Sequence, residues 1–194
     1  VRFLPIFLLL AICSSSGFSR GATPQTDINF ILASFSNSLT QQTILQSFQD
    51  SRGNLWFLTQ EGVNKYNGFT LENYRYSSSN NASISNNWAT RITEDIFGNV
   101  WISTRGGGLN KYNPIDNSFT AIYSGPNRRI TPVSNDIETV FADSEGHIWL
   151  GYDNAFSVFD VASGEFRHFT PESTPEKIIG EISRFTQSAD GTIW

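Results

Sequence analysis

Thiols, imidazoles and formal charge are all scarce in this chain. One cysteine, Cys13, sits inside an N-terminal apolar run, so the rest of the sequence has no thiol chemistry and no disulfide framework. Two histidines, His147 and His168, are too few for a Cys/His zinc site. Charged residues are 16% of the 194, below the roughly one quarter of an average domain, which excludes a highly charged disordered chain. The net charge is −5 and no basic stripe is present, so nucleic-acid binding has little support.

What is abundant points to sheet. Aromatics reach 14%, with sixteen Phe and five Trp, and Gly and Asn recur at regular intervals. Aromatic, β-branched and turn-forming residues together suggest short strands joined by tight turns.

The first residues read as an address. Arg2 precedes the apolar run Phe3 to Cys13, and Ser14, Ser15, Ser16 and Gly17 follow. That order fits a secretory signal peptide, assigned to 1–22, and the run falls short of the about 20 residues of a membrane span. Leu10-Ala11-Ile12-Cys13 approaches a lipobox, but Ile12 is a poor fit before the Cys, which speaks against lipidation.

A repeat dominates the remainder. Asp50-Ser51-Arg52-Gly53-Asn54-Leu55-Trp56 aligns with Asp95-Ile96-Phe97-Gly98-Asn99-Val100-Trp101 and with Asp143-Ser144-Glu145-Gly146-His147-Ile148-Trp149. A fourth copy, Ser188-Ala189-Asp190-Gly191-Thr192-Ile193-Trp194, departs by placing Ser where the leading Asp stood. The tryptophans recur about every 45 residues, a propeller-blade period. Upstream lie Thr40-Gln41, Ser85-Asn86 and Ser134-Asn135. Downstream, Gly62-Val63-Asn64-Lys65-Tyr66 matches Gly108-Leu109-Asn110-Lys111-Tyr112 and weakens to Ala155-Phe156-Ser157-Val158-Phe159. Aromatic stretches close each copy, at Phe69 to Tyr74, Phe119 to Tyr123 and Phe166 to Phe169.

Each copy is predicted to form four strands. The first are Ile44 to Gln49, Ala89 to Glu94 and Ile137 to Ala142; in the middle copy Val100–Thr104, Leu109–Tyr112 and Phe119–Tyr123 follow. Alternation along a strand sets Trp101 opposite Val100 and Ile102, so both faces of the sheet are apolar. The fold class is therefore all-β, a β-propeller of four-stranded blades with about three blades and the start of a fourth. The divisions are a lead-in at 23–38, blades at 39–76, 89–124 and 137–170, connecting loops at 77–88 and 125–136, and an incomplete fourth blade at 171–194.

Other constellations are weaker. Gly106-Gly107-Gly108 lacks the Lys-Ser/Thr ending of a phosphate loop and reads as a turn. Asp143 and Glu145 lack the alternating ligands of a calcium loop. The acidic pairs Glu94-Asp95 and Asp136-Glu138, and Glu181, have no feature that marks them for hydrolysis. A Ser/His/Asp triad through His147 or His168 lacks a Gly-x-Ser-x-Gly elbow. No catalytic, cofactor or metal residue is assigned. Trp88 lies outside the repeat position, at the end of a loop, and is the one candidate for ligand contact, with ordinary packing as the competing role.

The stretch Asp95-Ile96-Phe97-Gly98-Asn99-Val100-Trp101-Ile102-Ser103-Thr104, followed by Gly107-Gly108-Leu109-Asn110-Lys111-Tyr112, resembles the two-component regulator propeller repeat, with Ser103 in place of its Gly. The resemblance covers roughly Leu39 to Trp194. It implies the periplasmic sensor region of a membrane-bound signalling protein with a kinase or cyclase output beyond Trp194. The expected partner is an extracellular small molecule or glycan, with a homodimer in the longer protein, no cofactor, and membrane contact only through segments outside this chain. The competing functions are a secreted propeller lyase or hydrolase and a periplasmic protein-binding scaffold.

Overall fold

In the computed structural model, residues 36–127, 129–173 and 180–194 are described. The signal segment, Cys13 and most of the lead-in lie outside them. Among the described residues a short 3-10 turn at Ser36–Ser38 precedes twelve strands. They are β1 (Gln46–Gln49), β2 (Leu55–Thr59), β3 (Gly62–Tyr66), β4 (Leu71–Tyr74), β5 (Ala89–Glu94), β6 (Val100–Thr104), β7 (Gly108–Asn113), β8 (Ser118–Ile122), β9 (Thr139–Ala142), β10 (His147–Gly151), β11 (Phe156–Asp160) and β12 (Glu165–Phe169). They form three antiparallel four-stranded sheets, each a simple meander. The strands predicted to open at Ile44 and Ile137 begin two residues later, and Phe69, 93% exposed, stays outside β4.

The turn between the first two strands is built alike in each sheet. The Asp95 Oδ1 accepts from the backbone N–H groups of Phe97 and Asn99, and its Oδ2 accepts the Trp101 indole N–H at 2.8 Å. Asp50 holds Trp56 at 2.9 Å, and Asp143 holds Trp149 at 2.8 Å. Gly53, Gly98, Gly146 and Gly191 have φ of 86°, 75°, 91° and 90°, a region open to Gly without a Cβ penalty. The repeat motif is thus a turn whose carboxylate also fixes the indole of the strand that follows.

Burial shows how the sheets stack. In β6 every residue is buried, whereas β2 buries Trp56 and Leu58 on one face and β10 buries Ile148 and Leu150 on the opposite one. One core joins Trp56 and Leu58 to Val100 and Ile102; a second joins Trp101 to Ile148 and Leu150. The middle sheet is therefore sandwiched, and its neighbours are each sealed on one side. The arrangement is propeller-like, with the first strands β1, β5 and β9 side by side.

Polar ties run between successive repeats. The Gln46 side chain spans from β1 to β5, its Oε1 accepting from Ile92 N at 3.1 Å and its Nε2 donating to Ile92 O at 3.3 Å. Ser51 N donates to Glu94 Oε2 at 2.7 Å, and the equivalent Ser144 N donates to Gln187 Oε1 at 3.0 Å. Along the outer edges, Phe119 N donates to Ala82 O and Phe166 N to Arg129 O, so each connecting loop runs beside the last strand of the sheet it leads into.

Candidate functional site

The upstream Ser/Thr motif anchors each loop to its sheet. Thr40 N donates to the fully buried Asn64 Oδ1, and Ser85 N donates to the equally buried Asn110 Oδ1. Buried amides are stable only when bonded, and these fix the chain just before β1 and β5. Side chains at the entrance to the first strands are thereby held at one end of the stack.

Two adjoining cavities open there. The mouth, about 190 Å³, includes Trp88, Arg91, Arg105, Glu138 and Glu181. The second, about 310 Å³, runs along the first strands and includes Gln46, Arg91, Thr139, Phe141, Arg184 and Phe185. Gln46, Arg91, Thr139 and Arg184 hold the same place relative to the four repeat tryptophans, so they form one tier around the stack. A register shift between Ala89 and Arg91 marks a bulge in β5, a device that re-aims side chains at sites. Thr90, in the bulge, donates its hydroxyl to Ile137 O at 2.7 Å and so ties β5 to the segment leading into β9.

Trp88 lies in the mouth. Its indole carries the Arg105 guanidinium 4.6 Å from the ring centroid and remains 37% exposed. Arg105 Nη2 donates to both Glu138 oxygens, at 2.8 and 2.7 Å. That hydrogen bonding, helped by the charges of Glu138, Asp136 and Glu181, raises the Arg105 pKa further. The aromatic face is thus occupied by a cation whose charge Glu138 offsets.

Repeat residues serve packing. Trp56 and Trp101 are 0% and 2% exposed, Trp149 is half-buried, and Trp194 is 74% exposed. In the fourth copy Ser188 replaces Asp, and its hydroxyl sits 3.4 Å from the Trp194 indole N–H. Lys65 is almost fully buried between the first two sheets, donating to Glu72 at 2.9 Å and to the Tyr112 hydroxyl at 2.7 Å. Burial alone lowers its pKa, but the bonds to Tyr112 and Glu72 prevail and raise it.

The residues weighed for catalysis are separated. His147 Nδ1 meets Asp143 Oδ2 at 2.9 Å, an oxygen that already receives the Trp149 indole. Ser157 Oγ lies 2.8 Å from His168 Nδ1, yet Ser157 is fully buried. Among the described residues no group of His, Cys, Asp or Glu is placed to hold a metal ion. Sequence reasoning passed over Arg91, Arg105 and Arg184; counting back from each repeat tryptophan would have put Arg91 and Arg184 in one tier.

No family model matches the chain. A 59-residue stretch is 37% identical to Histidine kinase P4 of Formosa agariphila, covering 29% of this chain and 4% of that protein. The extracellular domain assigned to a hybrid two-component system of B. thetaiotaomicron superposes with a TM-score of 0.69 at 28% identity, over 77% of this chain and 21% of that one.

A second such extracellular domain from the same organism gives 0.63 at 21% identity, over 78% and 22%. Virginiamycin B lyase of Staphylococcus aureus gives 0.53 at 19%, over 76% and 46%. The last two share the fold. This chain spans about a fifth of the length of the extracellular domains it matches.

Proposed function

We propose that this chain is the opening part of a periplasmic, ligand-sensing β-propeller in a membrane-bound signalling protein, of the two-component regulator propeller type. The observation that carries the reading is the 28% identity, over 77% of the chain, to a hybrid two-component ectodomain. The stretch shared with a histidine kinase and the Trp-bearing repeat support it. On this reading the three sheets are blades, further blades complete a ring, and the cavities at the first strands open onto its axis. A ligand there touches several blades at once, so it can favour one arrangement of them over another, as any signal requires. Trp88 lines the entrance.

A secreted propeller enzyme is less favoured. The Ser157 hydroxyl beside His168 is buried beyond reach of a substrate, and the lyase likeness is one of fold.

Two experiments test the sensor reading. Alkaline phosphatase fused after Trp194 is expected to be active, because the chain is exported. Reading the coding sequence beyond Trp194 is expected to show more repeats, a membrane span and a kinase or cyclase. An inactive fusion, or a stop codon soon after ring closure, would overturn the proposal.

A further inference from the structure

The tier behind the mouth has an unusual balance of charge. In a chain of net charge −5, the 310 Å³ cavity contains two arginines, Arg91 and Arg184, and no Asp or Glu among its lining residues. Both come from the same place in the repeat, where the first copy has Gln46 and the third has Thr139.

Both guanidiniums lack a carboxylate partner among the described residues. Arg91 spends one N–H on Thr90 O at 2.9 Å. Two carboxylates lie at the mouth rather than in this cavity: Glu138, with both oxygens held by Arg105, and Glu181. The Gln46 amide is spent on Ile92. Thr139 lines the cavity with a hydroxyl-bearing side chain, while Phe141 and Phe185 line it with apolar surface that strengthens any charge interaction inside.

We propose that this cavity binds an oxyanion, the carboxylate, sulfate or phosphate group of a small molecule, between Arg91 and Arg184. Guanidinium groups present forked N–H donors that suit such groups. Arg105 acts as a positioning residue: by holding Glu138 it keeps a competing carboxylate away from Arg91. The inference rests on reading these cavities as the ligand site of the proposed sensor, and adds the chemical class of what they take.

The test is calorimetric titration of the purified protein with inorganic phosphate, sulfate and acetate at constant ionic strength. Saturable binding of at least one anion is expected; acetate alone would mark a carboxylate ligand, phosphate or sulfate a tetrahedral one. Arg91→Gln and Arg184→Gln should each weaken binding about tenfold, as for loss of a charge-assisted hydrogen bond, and Arg91→Lys should recover part of it. Arg105→Gln should also weaken binding, and adding Glu138→Gln should restore it, which a merely structural role would not do.

Absence of saturable binding to all three anions, or unchanged affinity in the two Gln variants with wild-type melting, overturns the proposal. Failure here with an active phosphatase fusion sinks the anion site alone. An inactive fusion sinks the sensor reading and leaves the titration standing.

Discussion

Tyr112 meets Trp56 edge to face across the gap between the first and second sheets, with ring centroids 4.9 Å apart at 78°. The contact recurs one sheet on, where Phe159 stands at the place of Tyr112 and lies 5.6 Å from Trp101 at 70°. Each tryptophan is thus covered by the third strand of the sheet that follows. Trp149 has no such strand among the described residues and packs instead on Phe156 and Phe185.

Truncating the tryptophans should therefore have graded effects. Trp56→Ala and Trp101→Ala are expected to cost about 3–5 kcal/mol each, the range for a fully buried large aromatic. Trp149→Ala should cost distinctly less in protein made of these residues, because its ring is half-buried. Urea midpoints of the three variants check the order; equal losses would mean that the sheets do not cover one another in sequence.

Removing the turn carboxylate should cost more than an ordinary surface change. Asp95→Ala leaves the buried Trp101 indole N–H and two backbone N–H groups without their acceptor. A loss of about 2–4 kcal/mol is expected from unsatisfied buried donors. Asp95→Asn keeps one acceptor oxygen and should lose less. Thermal melts of the pair settle it.

The two kinds of glycine should separate under substitution. A Cβ at Gly108 would sit 2.4 Å from Ile122 O, with φ of 75°, whereas at Gly53, with φ of 86°, it would meet nothing within 4 Å. Gly53→Ala is expected to cost about 1–2 kcal/mol for the left-handed backbone alone. Gly108→Ala adds a backbone clash and should cost several times more. In the third copy Ala155 takes the place of Gly108, and Asn154 supplies the left-handed residue at φ 57°.

Acid should weaken the third sheet through Asp143. Burial raises its pKa, but hydrogen bonds from the Trp149 indole and the N–H groups of His147 and Glu145 prevail and hold it below the usual aspartate range. A carboxyl depressed in the folded state stabilises above its unfolded pKa, about 3.9, and the gain is lost as pH falls through the folded value. Melting temperature should fall from about pH 4 downward, and Asp143→Asn should flatten that part of the profile. An unchanged acid limb in the variant would place the acid sensitivity elsewhere.

Much of the sheet pattern was legible because local chemistry set it. The span Val100–Thr104 is predicted and found unchanged, since Val, Trp and Ile alternate between a Gly turn and the Gly106-Gly107-Gly108 turn. The aromatic stretch that opens at Phe69 is only partly strand: β4 takes Leu71–Tyr74, and the Asn67-Gly68 turn leaves Phe69 in solvent. The cavity arginines were hidden because nothing beside Arg91 or Arg184 in sequence distinguishes them from solvated side chains.

By itself the sequence determined the repeat, the turns and the strand alternation, because each depends on residues a few places apart. Which face of each sheet is sealed, that Trp149 is only partly covered, and that Arg91 and Arg184 share a cavity without a carboxylate were decided by the tertiary structure. Those features arise from contacts between residues a whole repeat or more apart, and no local propensity encodes them.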